Sequence, residues 1–63
     1  MKVEVRERVS SQSLVGSVHR FGAKGVLYEV VRPVDDSSVM IRVIETGELT
    51  AYPIVDILQD PIE

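Results

Sequence analysis

The sequence predicts an all-β domain, mainly a small antiparallel meander of four to five strands that ends in a short helical turn. Three observations carry that expectation. Stretches rich in β-branched and other apolar residues recur at Leu14–Arg20, Val26–Arg32 and Val39–Ile44. Glycine, proline and Asp/Ser clusters separate them. Only Pro53–Leu58 spaces its apolar residues as a helix does.

The 63 residues make one domain, 1–63, with residues 1–13 as an N-terminal arm. Val3 and Val5 alternate with charged residues, as on an edge strand, before the polar run Ser10-Ser11-Gln12-Ser13. A frayed terminus accounts for the arm equally well. The first two strands then flank Phe21-Gly22-Ala23-Lys24-Gly25, a loop whose two glycines are expected to supply positive φ. Pro33-Val34-Asp35-Asp36-Ser37-Ser38 is the turn into the third strand.

Ile44-Glu45-Thr46-Gly47-Glu48 reads as a hairpin with a three-residue loop and a left-handed Gly47 in a bulge. That register pairs Ile44 with Glu48, Val43 with Leu49 and Ile41 with Ala51. A two-residue Thr46-Gly47 loop sets Glu45 against Glu48, a like-charge pair. In the closing segment Pro53 suits a first helical position, and Ile54, Ile57 and Leu58 share one face ahead of Pro61.

Alternation along the strands gives two faces. The core face carries Leu14, Gly16, Val18, Val26, Tyr28, Val30, Val39, Ile41, Val43, Leu49 and Ala51. The other carries Val15, Ser17, His19, Leu27, Glu29, Val31, Met40, Arg42, Ile44, Thr50 and Tyr52. The second is too apolar for a solvated surface. Three arrangements account for it: the sheet closes into an SH3-like barrel, a second chain covers the face, or the C-terminal turn covers it or the register differs. Glu29 and Arg42 lie on one face of neighbouring strands and are expected to pair.

Composition narrows the chemistry. A chain this short buries only about 60% of its unfolded surface, so its core is marginal. With 0 cysteines there is no disulfide and no thiolate metal site. A lone His19 cannot close a zinc shell, so neither a metal nor a cofactor is expected. Self-association or burial against another protein is the remaining route to stability. Met1–Arg6 lacks the apolar run of a signal peptide, and no stretch approaches the ~20 apolar residues of a membrane span. A cytoplasmic setting without membrane contact is the expectation.

No catalytic constellation stands out. Gly22-Ala23-Lys24-Gly25 lacks the spacing and following helix of a phosphate-binding loop. Asp35-Asp36 reads as a solvated turn, and Ser10, Ser11 and Ser13 have no evident base or orienting acid. The function expected is a non-enzymatic protein-interaction or regulatory module, with a homo-oligomer or another protein as partner. Its net charge of −3 suits a basic partner, and a small acidic antitoxin or inhibitor is one version. Met40, Arg42, Ile44 and Tyr52 are the expected contacts. The alternative is a nucleic-acid-binding small β barrel using Arg20, Phe21, Lys24 and Arg42, cations for phosphates and an aromatic for bases. Interspersed acids and the absence of a basic stripe weigh against it.

The segments Val15-Gly16-Ser17-Val18-His19-Arg20-Phe21-Gly22, Tyr28-Glu29-Val30, Ile41-Arg42-Val43-Ile44-Glu45-Thr46-Gly47-Glu48 and Tyr52-Pro53-Ile54-Val55-Asp56-Ile57-Leu58-Gln59-Asp60-Pro61 resemble a family of short bacterial proteins known only as a domain of unknown function. The resemblance covers residues 14–61. It rests on turn and core residues, implies a bacterial and cytoplasmic setting, and brings no catalytic residue with it.

Overall fold

The computed structural model describes residues 11–63, so the expectation of an edge strand at Val3 and Val5 lies outside the described residues. A turn of helix, α1 (Ser11–Leu14), precedes four strands: β1 (Val18–Arg20), β2 (Leu27–Asp35), β3 (Ser38–Val43) and β4 (Leu49–Pro53). They form one open antiparallel sheet in the order β1-β2-β3-β4, followed by α2 (Ile54–Ile57). This is the mainly-β meander with a C-terminal helical turn that the sequence predicts, without closure of the four strands into a barrel.

The core lies on one side of the sheet. Tyr28 and Val30 on β2, Val39 and Ile41 on β3, and Ile57 on α2 are fully buried, with Ile54 beside them. Leu14, Phe21 and Tyr52 pack against this cluster. Fixed alternation puts the β2 and β3 residues together: Val30 pairs with Ile41, and Tyr28 with Val43. Both helices serve the same side. Pro53 is extended (φ −70°, ψ 139°) ahead of α2, and Ile54 N–H donates to Ser37 O at 2.9 Å, docking α2 beside the β2–β3 turn. Ile54 and Ile57 are buried as expected, whereas Leu58 is exposed because the helix ends as it begins.

β1 departs from the expected strand Leu14–Arg20. Leu14 ends α1, Gly16 is left-handed (φ 92°), and regular pairing begins only at Val18. The break shifts the alternation, so His19 pairs with Tyr28 and is buried, while Val18 pairs with Glu29 on the opposite face. The register of β4 is also shifted by one residue. Val43 N–H donates to Glu48 O at 2.8 Å, which closes a four-residue loop, Ile44–Gly47. Ile44 N–H is committed to Leu27 O at 3.0 Å, so Ile44 stays with β2 instead of pairing with Glu48. Gly47 is left-handed as expected (φ 78°). The shift puts Thr50 opposite Ile41 and Tyr52 opposite Val39, turning Tyr52 to the core side and Leu49 and Ala51 away from it.

β2 also runs further than expected, through Pro33 to Asp35, with register shifts between Val30 and Arg32 and between Pro33 and Asp35. Proline is tolerated because β1 has ended, so that among the described residues no ladder on that side of β2 is interrupted. Asp35 Oδ1 accepts from Ser37 N–H at 2.9 Å and Ser38 Oγ at 2.8 Å, tightening the turn.

The last residues return to the opposite end of the sheet. Arg20 N–H donates to Pro61 O at 3.1 Å and Glu63 N–H to Val18 O at 2.9 Å, with His19 and Ile62 bridged antiparallel. The chain thus leaves β4, crosses the core side as α2, and covers the outer edge of β1.

Candidate interaction surface

The side of the sheet away from the helices carries three cross-strand rows. One is Val18–Glu29–Arg42–Leu49, the second Arg20–Leu27–Ile44, and the third Arg32–Met40–Ala51, with the extra residue Val31 beside Arg32. Leu49 is 58% exposed, Ile44 42% and Val31 37%. Val18, Leu27 and Met40 are half-buried. In the middle, Arg42 Nη2 meets Glu29 Oε1 at 2.6 Å, the expected pair. Both side chains are substantially solvated, so the pair contributes about 0–1 kcal/mol.

Met40, Arg42 and Ile44 therefore sit together here, as expected of a contact surface. Tyr52 does not. Its ring lies edge-on to Tyr28 and Phe21, with centroids 5.4 Å from each. Of the nucleic-acid alternative, Arg20 and Arg42 share this face, while Phe21 lies on the core side. Arg20 is held by Glu63 Oε2 at 3.2 Å and Gly25 O at 3.0 Å, and Phe21 packs on Tyr28 with centroids 4.3 Å apart. Lys24 is exposed in the β1–β2 loop, and Arg42 faces Glu29.

The polar centre of the core side is Asp60, which sequence reasoning did not single out. Its carboxylate accepts from Tyr28 Oη at 2.6 Å, Gly22 N–H at 3.0 Å and Tyr52 Oη at 3.3 Å. Burial pushes the Asp60 carboxyl up, but the hydrogen bonds from Tyr28, Gly22 and Tyr52, with the nearby His19, outweigh it and the group titrates below its usual range. Burial, then the Asp60 hydrogen bond, raise the Tyr28 hydroxyl well above the ordinary tyrosine range. Burial and the Asp60 charge raise Tyr52 as well. Asp60-Pro61 ends the chain's pattern like an ordinary turn; only the tertiary fold aims it at two tyrosines.

The same geometry explains the groups weighed for chemistry. The Gly22 amide that a phosphate would need is taken by Asp60. Gly22 is left-handed (φ 65°), but Gly25 is not, contrary to expectation; a Cβ there would run into the Phe21 backbone, so Gly25 is needed for space. Ser17 Oγ donates to Leu14 O at 2.6 Å and so can only accept from His19 Nε2 at 2.8 Å, the reverse of an activated serine. Among the described residues, no three His, Cys, Asp or Glu side chains gather as a metal site, and no helix is long and apolar enough to cross a membrane.

A family of unknown function (DUF5397) matches residues 4–63. The chain belongs to that family. No curated protein and no solved structure matches it. Family membership covers the four-stranded sheet, α2 and the C-terminal return to β1, so it describes the scaffold beneath the candidate surface.

Proposed function

We propose that the chain is a non-enzymatic protein-interaction module that binds through the outer face of its sheet, with Met40, Arg42 and Ile44 as contacts and Leu49 in place of Tyr52. One observation carries this reading: exposed Leu49, Ile44 and Val31 surround a pre-formed Arg42–Glu29 pair on the face opposite the helices. Flexible Met40 suits an irregular partner, and Arg42 fixes orientation. A cytoplasmic, bacterial setting belongs to the same reading and rests on the cysteine-free sequence and the family resemblance. An SH3-like description is supported by the return of residues 61–63 to β1, and such scaffolds serve many roles.

The nucleic-acid reading has less support, because Phe21 is packed among tyrosines and Arg20 is tied to Glu63. The test compares Met40→Glu with Arg20→Glu and Lys24→Glu in capture from host lysate before and after nuclease, with circular dichroism as the fold control. Loss of captured protein with Met40→Glu alone supports the interaction face. Capture that nuclease abolishes and that the two basic variants lose overturns it.

A further inference from the structure

Among the described residues, the edges of the sheet are not equally protected. The outer side of β1 is covered by residues 61–63. The part of β2 beyond β1 carries Pro33, two register shifts and the charged Arg32 and Asp35, devices that discourage strand addition. β4 has none of these before its last residue. Leu49-Thr50-Ala51-Tyr52-Pro53 contains no charge, and its register with β3 is unbroken.

Which backbone groups of β4 face outward follows from the ladder. Val43 N–H donates to Glu48 O at one end, and Ile54 N–H to Ser37 O at the other. Hydrogen-bonded pairs alternate between these, so Thr50 and Tyr52 face β3. Leu49 and Ala51 point their N–H and C=O groups away from the sheet, and Pro53 offers only a carbonyl.

We infer that this edge pairs antiparallel with β4 of a second copy of the chain, about a twofold axis at Thr50, so that Leu49 of each copy exchanges backbone hydrogen bonds with Ala51 of the other. The inference rests on the interaction reading and names its partner. A register centred on Ala51 instead sets the Leu49 carbonyl against a proline nitrogen that cannot donate. Centred on Thr50, every outward group it covers is satisfied, and the two threonines face each other, a favourable cross-strand pair. The register also limits the repulsion between two acidic copies. Each copy carries a net −3, and this register sets Glu48 opposite Tyr52 of the second copy, not opposite an acid. On the outer face Leu49 falls beside Ala51 of the second copy, whose row continues to Met40, so the two apolar surfaces become continuous. A contact of one short strand lies at the small end of interface sizes, so the dimer is weak.

Sedimentation equilibrium from about 10 μM to about 1 mM should show the mass rising from monomer to dimer. Ala51→Pro removes an outward donor without touching the β3 ladder, and Leu49→Lys places a charge on the edge; each should raise the dimer Kd at least about tenfold with an unchanged circular dichroism spectrum. Concentration-dependent protection of the Leu49 and Ala51 amides from exchange is the second readout, and it holds even where Ala51→Pro fails to fold. A wild type monomeric throughout overturns the inference while leaving lysate capture to decide the interaction reading. A dimer that folded Ala51→Pro keeps and Met40→Glu loses also overturns it, placing the contact on the face and not the edge.

Discussion

The Tyr28 hydroxyl donates to Asp60 Oδ2 at 2.6 Å, joining the middle of the sheet to the segment that follows α2. Tyr28 is completely buried, so its hydroxyl needs a partner, and the carboxylate that supplies it also takes the Gly22 amide. One side chain thereby fixes the C-terminal crossing, the β1–β2 loop and the aromatic cluster relative to each other.

Removing that carboxylate should destabilise the domain. Asp60→Ala leaves the buried Tyr28 hydroxyl without its acceptor and is expected to cost about 1.5–3 kcal/mol, the range for hydrogen bonds to charged groups. Urea midpoints of wild type and variant measure it, and coincident midpoints refute the role.

The same pair sets a pH dependence. Asp60 titrates lower folded than unfolded, so its contribution is present above the ordinary carboxylate range and is lost as pH falls through the folded value. Tyr28 titrates higher folded than unfolded, so its contribution is present below about 10 and is lost as pH rises beyond it. Thermal melts from pH 2 to 11 should therefore fall off at both ends, and in Asp60→Asn the acid-side loss should shrink.

Gly47 and Gly25 should respond to alanine for different reasons. Gly47 is left-handed with open space around it, so Gly47→Ala costs about 1 kcal/mol of backbone strain and Gly47→Asn much less. At Gly25 a Cβ collides with the Phe21 backbone, so Gly25→Ala and Gly25→Asn should both be more damaging than their Gly47 counterparts. Equal melting temperatures for Gly25→Asn and Gly47→Asn would contradict the assignment.

The centre of the fold was legible because its signals are local. Tyr28, Val30, Val39 and Ile41 keep strict alternation in strands joined by a tight Asp/Ser turn, and all four are buried as expected. The outer strands were misread by one position each, and each time a single backbone event decided the face. Left-handed Gly16 shifts the alternation ahead of His19, and the Ile44 N–H bonded to Leu27 lengthens the hairpin loop. Because side chains alternate, the β4 shift moved Tyr52 from the expected outer face to the core side and Leu49 from the expected core to the outer face. Of the candidate surface, Met40, Arg42, Ile44 and the Glu29 partner were readable, because β2 and β3 were. Asp60 was not, since its partners lie far away in sequence.

α2 should be structural although it is a single turn. Ile57 is fully buried and Leu58 is 54% exposed, so Ile57→Ala should cost about 2–5 kcal/mol and Leu58→Ala within about 0.5 kcal/mol. Equal effects in denaturant titrations would mean that the helix does not seat as described.

The last prediction separates the two faces. Met40 and Ile44 lie on the outer face, half-buried and 42% exposed, where a new carboxylate keeps much of its water. Met40→Glu and Ile44→Glu should leave the circular dichroism spectrum unchanged and shift stability by no more than about 1 kcal/mol. Tyr52 is on the other side, with its ring against Tyr28 and Phe21 and its hydroxyl near Asp60. Tyr52→Ala removes those contacts and should cost about 2 kcal/mol or more, with loss of near-ultraviolet signal from the loosened cluster. Tyr52→Phe keeps the rings together and loses only a 3.3 Å hydrogen bond, so it should cost about 1 kcal/mol or less. The order of stabilities is then Tyr52→Ala lowest, with Met40→Glu and Ile44→Glu close to wild type. A surface-like response of Tyr52 would require β4 to pair one residue further along β3, and a core-like response of Met40 would require a shifted β2–β3 register.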